Sequence, residues 1–310
     1  MNITIFLHST TGNTRLVTRY AVHRLEAAGH QCHIHNIVAC PTPPTLEGVD
    51  LLGVACPTMY FRPTFAMEQF VARLLDHSSR RPAFLLATAA GEPGAHFALL
   101  AEQLATKGWC VRGAHWVIAP SNWPPHLRLI RHLGPTLPLG RLLARSTPRL
   151  RPLWGILWPE ACTPDERDRE RLDRFLDEIM RRTEAGWPGP PPRPTELHRP
   201  MPTFETQGRM IRSDLPDRIV HPRVDAAACS RCGTCVAVCP VQIITRDGED
   251  QIPTIRRGCT GCFACFNHCP DGAISAVGAD SARYLAPPAD MRSVFGASGH
   301  QPTTVREDPA

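Results

Sequence analysis

Eight of the thirteen cysteines fall into two runs of one design. Cys229, Cys232, Cys235 and Cys239 are spaced C-x2-C-x2-C-x3-C with Pro240 behind the last, and Cys259, Cys262, Cys265 and Cys269 with Pro270 repeat the pattern thirty residues on. Three thiolates three residues apart on a tight turn converge on one face of an iron–sulfur cube, while the fourth sits on a following helix and points the other way. Paired C-x2-C knuckles for zinc place four ligands around one ion, and four cysteines in each run, twice, do not fit that arithmetic. Each half is too short to bury a core by itself, so something other than apolar area must hold it. The remaining cysteines, Cys32, Cys40, Cys56, Cys110 and Cys162, lie mostly in or beside apolar strands and read as core.

A second set of chemistry-bearing residues lies near the N-terminus. His8-Ser9-Thr10-Thr11-Gly12-Asn13-Thr14 offers hydroxyls, a glycine and the N–H groups of a helix start, a nest that takes a phosphate without a lysine. Pro57-Thr58-Met59-Tyr60-Phe61 and Thr88-Ala89-Ala90-Gly91-Glu92-Pro93-Gly94 follow later apolar runs. Tyr60 or Phe61 either covers one face of a planar ligand or packs on the next helix, and the glycines let backbone approach a ring edge.

The elements that must position these loops alternate along the first 120 residues. Apolar runs at 3–7, 32–37, 51–56, 83–89 and 110–118 read as strands, and amphipathic stretches at 14–28, 64–76 and 95–107 as helices stopped by Gly29 and Gly108. Strands alternating with helices give a parallel, doubly wound α/β sheet, whose ligands bind at the carboxyl edge of the strands. Thr163-Pro164-Asp165-Glu166 offers an N-cap, a first-turn proline and a capping-box acid for a last helix, with Leu172, Phe175, Leu176 and Ile179 as its apolar stripe. The expected organisation is a sheet domain over 1–186 with an insertion at 124–160, a proline-rich linker over 187–223, a cysteine domain over 224–280 and a loose tail over 281–310.

Residues 224–278 resemble the bacterial two-cluster [4Fe-4S] ferredoxins, with both cysteine runs complete and Ile243, Ile244 and Ile274 matching the strands behind the clusters. The resemblance implies a small α+β domain in which Cys229, Cys232, Cys235 and Cys269 hold one cluster and Cys259, Cys262, Cys265 and Cys239 the other. The N-terminal part resembles a flavodoxin. That likeness carries Ser9, Thr10, Thr11, Gly12, Asn13 and Thr14 to the phosphate of FMN. It carries Pro57, Thr58, Met59, Tyr60, Phe61, Ala89, Ala90, Gly91 and Gly94 to the flavin ring. The second ring loop departs from the family in lacking a stacking aromatic. Asn122 with Trp123 resembles an Asn–aromatic pair near the flavin in flavodoxin–ferredoxin fusion proteins. The likeness spans roughly 1–120, 163–185 and 224–278. It implies an iron–sulfur flavoprotein passing electrons between FMN, two clusters and a redox protein partner. A ferredoxin with a flavin-less docking scaffold, or a flavin reductase acting on a small substrate, are the alternatives.

Composition narrows the partners. The net charge is +5, yet Lys107 is the one lysine and no basic stripe interleaves with aromatics, so nucleic acid is not expected. No G-x-G-x-x-G follows a strand, which leaves a nicotinamide site unsupported. From Gln103 to Pro159 there is no Asp or Glu, while Arg128, Arg131, Arg141, Arg145, Arg149 and Arg151 alternate with leucines and tryptophans. Such an insertion over 127–158 lies on an anionic membrane surface, docks an acidic partner, or caps the sheet with its arginines in solvent. Met1 runs straight into a strand-like segment without signal-peptide character, and the expected place is the cytoplasm, at the membrane periphery if the insertion binds lipid.

Overall fold

A computed structural model describes residues 1–76, 80–121, 137–147, 163–187, 190–276, 287, 289–296 and 306–307. Its centre is a parallel sheet of β1 (Asn2–Leu7), β2 (Gln31–Asn36), β3 (Leu51–Met59), β5 (Arg81–Ala89) and β6 (Trp109–Ile118), in the order β2-β1-β3-β5-β6. This is the flavodoxin-like strand order, with its switch point at β1 and β3. Ile3, Ile5 and Leu7 point to one face and Phe6 to the other, the period of two that lets both faces of β1 be buried. One face is covered by α1 (Asn13–Ala27) and α5 (Glu166–Glu184), the other by α2 (Phe65–Ala72) and α3 (His96–Thr106). Gly29 and Gly108 take left-handed φ of 86° and 82° just past their helices, as stops do.

Four expectations need correction. The strand expected over 51–56 runs to Met59 and folds back into β4 (Arg62–Pro63), pairing Thr58 with Pro63 and Met59 with Arg62, so Pro57–Met59 is strand rather than loop. Helix α2 ends at Ala72 instead of 76, because Arg73 and Leu74 turn back with N–H bonds to the carbonyls of Phe70 and Val71. The cap of α5 is Asp165 and not Thr163: the Asp165 carboxylate accepts from Asp168 N at 3.1 Å while Asp168 accepts from Asp165 N at 3.0 Å. The linker is a folded strap, carrying α6 (Pro194–Leu197), α7 (Pro202–Met210) and α8 (Leu215–Val220). Each of these opens on a proline in its first turn, where the missing N–H has no carbonyl to meet and the fixed φ suits a helix.

The tail is not loose throughout. Helix α9 (Ala289–Phe295) buries Met291, Val294 and Phe295 against α1 and α5, with the Phe295 ring edge-on to Tyr20 at 5.5 Å. Arg306–Glu307 pairs in parallel with β2. Of the insertion, the structure describes α4 (Leu137–Ser146), where Leu139 and Leu142 are exposed; Arg128, Arg131, Arg149 and Arg151 lie outside the described residues. No helix among the described residues is long and apolar enough to cross a membrane.

The cysteine-rich part is built on two small ladders. Ile244–Thr245 pairs antiparallel with Thr254–Ile255, and Arg223–Val224 pairs with Ile274–Ser275 at the far end of the duplication.

Candidate functional site

At the carboxyl edge of the sheet the loops after β1, β3, β5 and β6 enclose a cavity of about 480 Å³, within the size range of cofactor sites. Ser9, Thr10, Thr11, Asn13 and Thr14 line one end. Ser9 Oγ accepts from Gly12 N and Arg15 N at 3.2 Å each, and Thr14 Oγ1 lies 2.8 Å from Thr88 Oγ1, so the loop is pinned before any ligand arrives. Gly12 caps α1 at φ 97° and does not line the cavity; Pro287 stands 3.0 Å from where its Cβ would be. No acidic side chain occupies the first turn of α1, and Arg15 Nε is buried without a hydrogen-bond partner among the described residues. A helix N-terminus free of acidic side chains and the hydroxyls of Ser9, Thr10, Thr11 and Thr14 form a donor set that fits a phosphate dianion. Beneath the loop His8 is fully buried with Nδ1 2.7 Å from Thr64 Oγ1, and burial pulls its pKa down to about 4.

The other end of the cavity is apolar. Pro57, Thr58, Met59, Tyr60 and Phe61 line it from β3 and its hairpin, and Ala89, Ala90 and Gly91 from the loop after β5. Tyr60 and Phe61 form the two-residue turn of that hairpin, with φ of 56° and 57°. A turn needing two left-handed residues normally takes Asn or Gly, and each non-glycine residue there costs roughly 1 kcal/mol or more. The aromatic pair is held regardless: Phe61 stacks on Phe204 at 4.5 Å, and its carbonyl accepts from Ala95 N at 2.8 Å. Gly94 does not line the cavity, since its Cβ position would lie 2.6 Å from Phe61 Cβ. Asn122 lies outside the described residues, while its neighbours Ala119, Pro120 and Ser121 are in the wall.

Sequence reading missed one wall entirely. Gln207, Met210, Ile211 and Leu215 of the strap line the cavity together with the sheet loops and add apolar side chains to its wall. Arg62 latches them: its guanidinium donates to the carbonyls of Gly208 (3.1 Å) and Ile211 and pairs with both oxygens of Glu68 at 2.9 and 3.0 Å. Gly208 is required by the fit, because a Cβ there would lie 2.2 Å from Phe61 O. A second latch joins Glu92, which lines the cavity from the loop after β5, to His198 Nε2 at 2.6 Å. The sequence signal for this wall was the first-turn prolines of the strap helices.

The cysteines gather as two fours. The thiol of Cys235 is surrounded by those of Cys269, Cys229 and Cys232; the thiol of Cys265 by those of Cys262, Cys259 and Cys239. Each group thus takes its fourth member from the opposite run. Burial, and after it mutual repulsion, push Cys262 up to about 12 and Cys265 well above the ordinary thiol value. Thiols as buried as those of Cys262 and Cys265 keep their protons unless a strongly cationic centre beside them stabilises the thiolates, which suits a cluster. Backbone N–H groups of Gly261 and Ala273 reach the sulfurs of Cys259 and Cys269 at 3.4 and 3.2 Å. Among the described residues no group of His, Cys, Asp or Glu is set to hold a single metal ion; a cube spreads its thiolates wider than one ion does.

Residues 221–270 match the family model described as a 4Fe-4S dicluster domain. A pyruvate synthase subunit PorD of Methanocaldococcus jannaschii is 33% identical over 60 residues, 19% of this chain and 70% of that protein. The chain belongs to the dicluster 4Fe-4S ferredoxin family. Its N-terminal part is similar to a flavodoxin from the domain Archaea and to the flavodoxin of Streptococcus pneumoniae TIGR4. Each is 13% identical with a TM-score of 0.37, covering 59% of this chain and 98% and 99% of theirs. The flavodoxin-like fold stands on the strand order and pairing of the sheet itself. The protein is therefore a flavodoxin-like domain fused to a two-cluster ferredoxin domain, the build of an iron–sulfur electron carrier.

The ferredoxin domain meets the cavity through its second cysteine run. Tyr60 OH donates to Gly261 O at 3.3 Å, Met59 and Tyr60 pack among the buried cysteines, and His268 Nε2 lies 2.7 Å from Thr10 O. Cys259, Cys262 and Cys265 lie in the run that makes these contacts, whereas Cys232 of the first group is exposed to solvent. Cys32, Cys56 and Cys110 are buried and Cys40 is half-buried, while Cys162 lies outside the described residues.

Proposed function

We propose that the protein is an electron-transfer flavoprotein that holds FMN in the 480 Å³ cavity and relays electrons between the flavin, the two clusters and a redox protein partner. The observation that carries this reading is the seating of the second cysteine run on the cavity wall, through Tyr60 to Gly261 and His268 to Thr10. FMN, when bound, exchanges two electrons and can give them up singly, and each cube exchanges one.

The chain's own residues divide the work. Ser9, Thr10, Thr11, Asn13 and Thr14 fix the phosphate end. Tyr60 and Phe61, immobilised in a strained turn, fix the ring end next to the cluster of Cys259, Cys262, Cys265 and Cys239. The strap residues Met210, Ile211 and Leu215 keep water off the ring and supply apolar wall that the aromatic-less loop after β5 does not. Cys232 in the outer group gives the second cluster an outlet at the surface.

Anaerobically purified protein tests this directly. The reading expects one FMN and about eight irons per chain. Dithionite titration should bleach both chromophores, and illumination of the flavin with a sacrificial donor should reduce the clusters. Clusters that stay oxidised while the bound flavin is reduced would overturn it.

A further inference from the structure

We propose that the ferredoxin domain carries a second electron port, a basic rim over the inner cluster that docks an acidic redox protein. This rests on the electron-carrier reading and adds the partner's chemistry and its place. The buried cavity among Cys239, Cys259, Cys262 and Cys265 is walled on one side by Pro222 and Ile255. The outer side of the same two residues lines an open cleft of about 440 Å³. Arg218, Arg223, Arg256 and Arg257 surround that cleft, and Asp217 is the one carboxylate in it.

Asp217 is already engaged, with Oδ1 accepting from Gly258 N and Cys259 N at 2.9 Å each. Arg218 reaches Asp214 only at 4.0 Å, and the other three arginines have no ion pair among the described residues. The four guanidiniums are exposed and share one face. They form a positive ring around a small apolar centre, half-buried Pro222 and Ile255, directly outside an inner-cluster wall. An apolar contact inside a charged rim is how weak electron-transfer complexes are steered and seated.

The outer port has the opposite dress. Exposed Arg231 and half-buried Arg246 flank Cys232, but exposed Asp247, Glu249 and Asp250 on the Arg246 turn and Asp271, bonded to Ser230, outnumber them two to one. An acidic protein is repelled there and drawn to the rim. A carrier needs a donor and an acceptor, and two ports of unlike charge let them bind without competing for one surface.

The test uses the full chain with its cofactors, reduced photochemically and mixed in a stopped-flow instrument with acidic rubredoxin or basic cytochrome c. The native rubredoxin rate should fall about tenfold as salt rises from about 20 to about 200 mM, because exposed charges are screened over that range. Arg256→Glu with Arg257→Glu should lower the low-salt rubredoxin rate about tenfold and flatten its salt dependence, without slowing cytochrome c. Should that variant lose its clusters, Arg256→Gln with Arg257→Gln should still show an intermediate loss. A rubredoxin rate within about twofold of native in the charge-altered variant overturns the rim. A native chain whose reduced clusters pass electrons to neither protein overturns the carrier reading instead.

Discussion

Arg62 is the residue whose removal most directly tests how the cavity is closed. Its side chain is 12% exposed and that of Glu68 is 7% exposed, and the same guanidinium holds two carbonyls of the strap. Arg62→Ala leaves a buried carboxylate without its counter-ion, which costs roughly 3 to 5 kcal/mol. Losing charge-assisted bonds to backbone carbonyls contributes roughly 1.5 to 3 kcal/mol each, though the terms overlap, so a total near 4 kcal/mol is expected. The pH dependence has a definite sign. Burial already raises the Glu68 pKa while Arg62 pulls it back, so without Arg62 it rises further and the carboxyl takes up a proton in the folded state. A raised folded-state carboxyl pKa favours folding as pH falls, so the deficit of Arg62→Ala should shrink from pH 8 to pH 5. Urea unfolding followed through tryptophan emission gives the stability. Limited trypsin digestion reports the strap, since Arg209 and Arg212 should become cleavable while the ferredoxin domain stays intact. Arg62→Ala with Glu68→Ala should regain about half the loss. A stability within about 1 kcal/mol of native and an unchanged digest would refute the latch.

The remaining predictions concern the cofactor sites and acid stability. Thr11→Asp sets a carboxylate at the phosphate end of the cavity and should weaken FMN at least about tenfold while leaving riboflavin little changed; equilibrium dialysis of both decides, and equal losses would move the phosphate elsewhere. Cys239→Ala should damage the inner cluster, held by Cys259, Cys262 and Cys265, while Cys229→Ala damages the outer one; EPR of the reduced protein distinguishes them, and damage confined to each run's own cluster would refute the crossing. His8, pulled by burial to about 4, stays neutral when folded. Its stabilising effect is complete above the unfolded value near 6.5 and is lost as pH falls toward 4, amounting to roughly 3 kcal/mol. His8→Gln should therefore flatten the acid limb of a stability–pH curve, and an unchanged limb would assign acid unfolding to other groups.

The five strands were legible because each is an apolar run long enough for a sheet buried on both faces, and their observed bounds differ from the expected ones mainly at β3. Its extension depends on the Tyr60–Phe61 turn, which no local preference favours; Phe204 and the Ala95 N–H, both far along the chain, hold it. The strap was hidden for a related reason. Prolines that end helices also begin them, and which role Pro194, Pro202 and Pro216 play is decided by what lies on either side. The cysteine groups needed no such context, since spacing alone constrains which thiolates can share a face. Of the cavity, the β1 loop was readable from its hydroxyls and glycine, whereas the Met210–Leu215 wall has neither motif nor periodicity to mark it.

The strap stays against the sheet domain from His198 to Leu215, and beyond the cysteines the chain returns to it at Pro287, against Gly12, and at Phe295, against Tyr20. The ferredoxin domain is therefore topologically a closed loop, anchored at both ends to the body that carries the cavity, rather than a pendant on a tether. A pendant domain searches for its docking position, and its transfer rate follows linker length and solvent viscosity. A loop closed at both ends has no search to make: the spacing between cavity and inner cluster is set at folding. Electron flow inside the molecule then responds to driving force, and only the encounter with an outside protein responds to viscosity and salt.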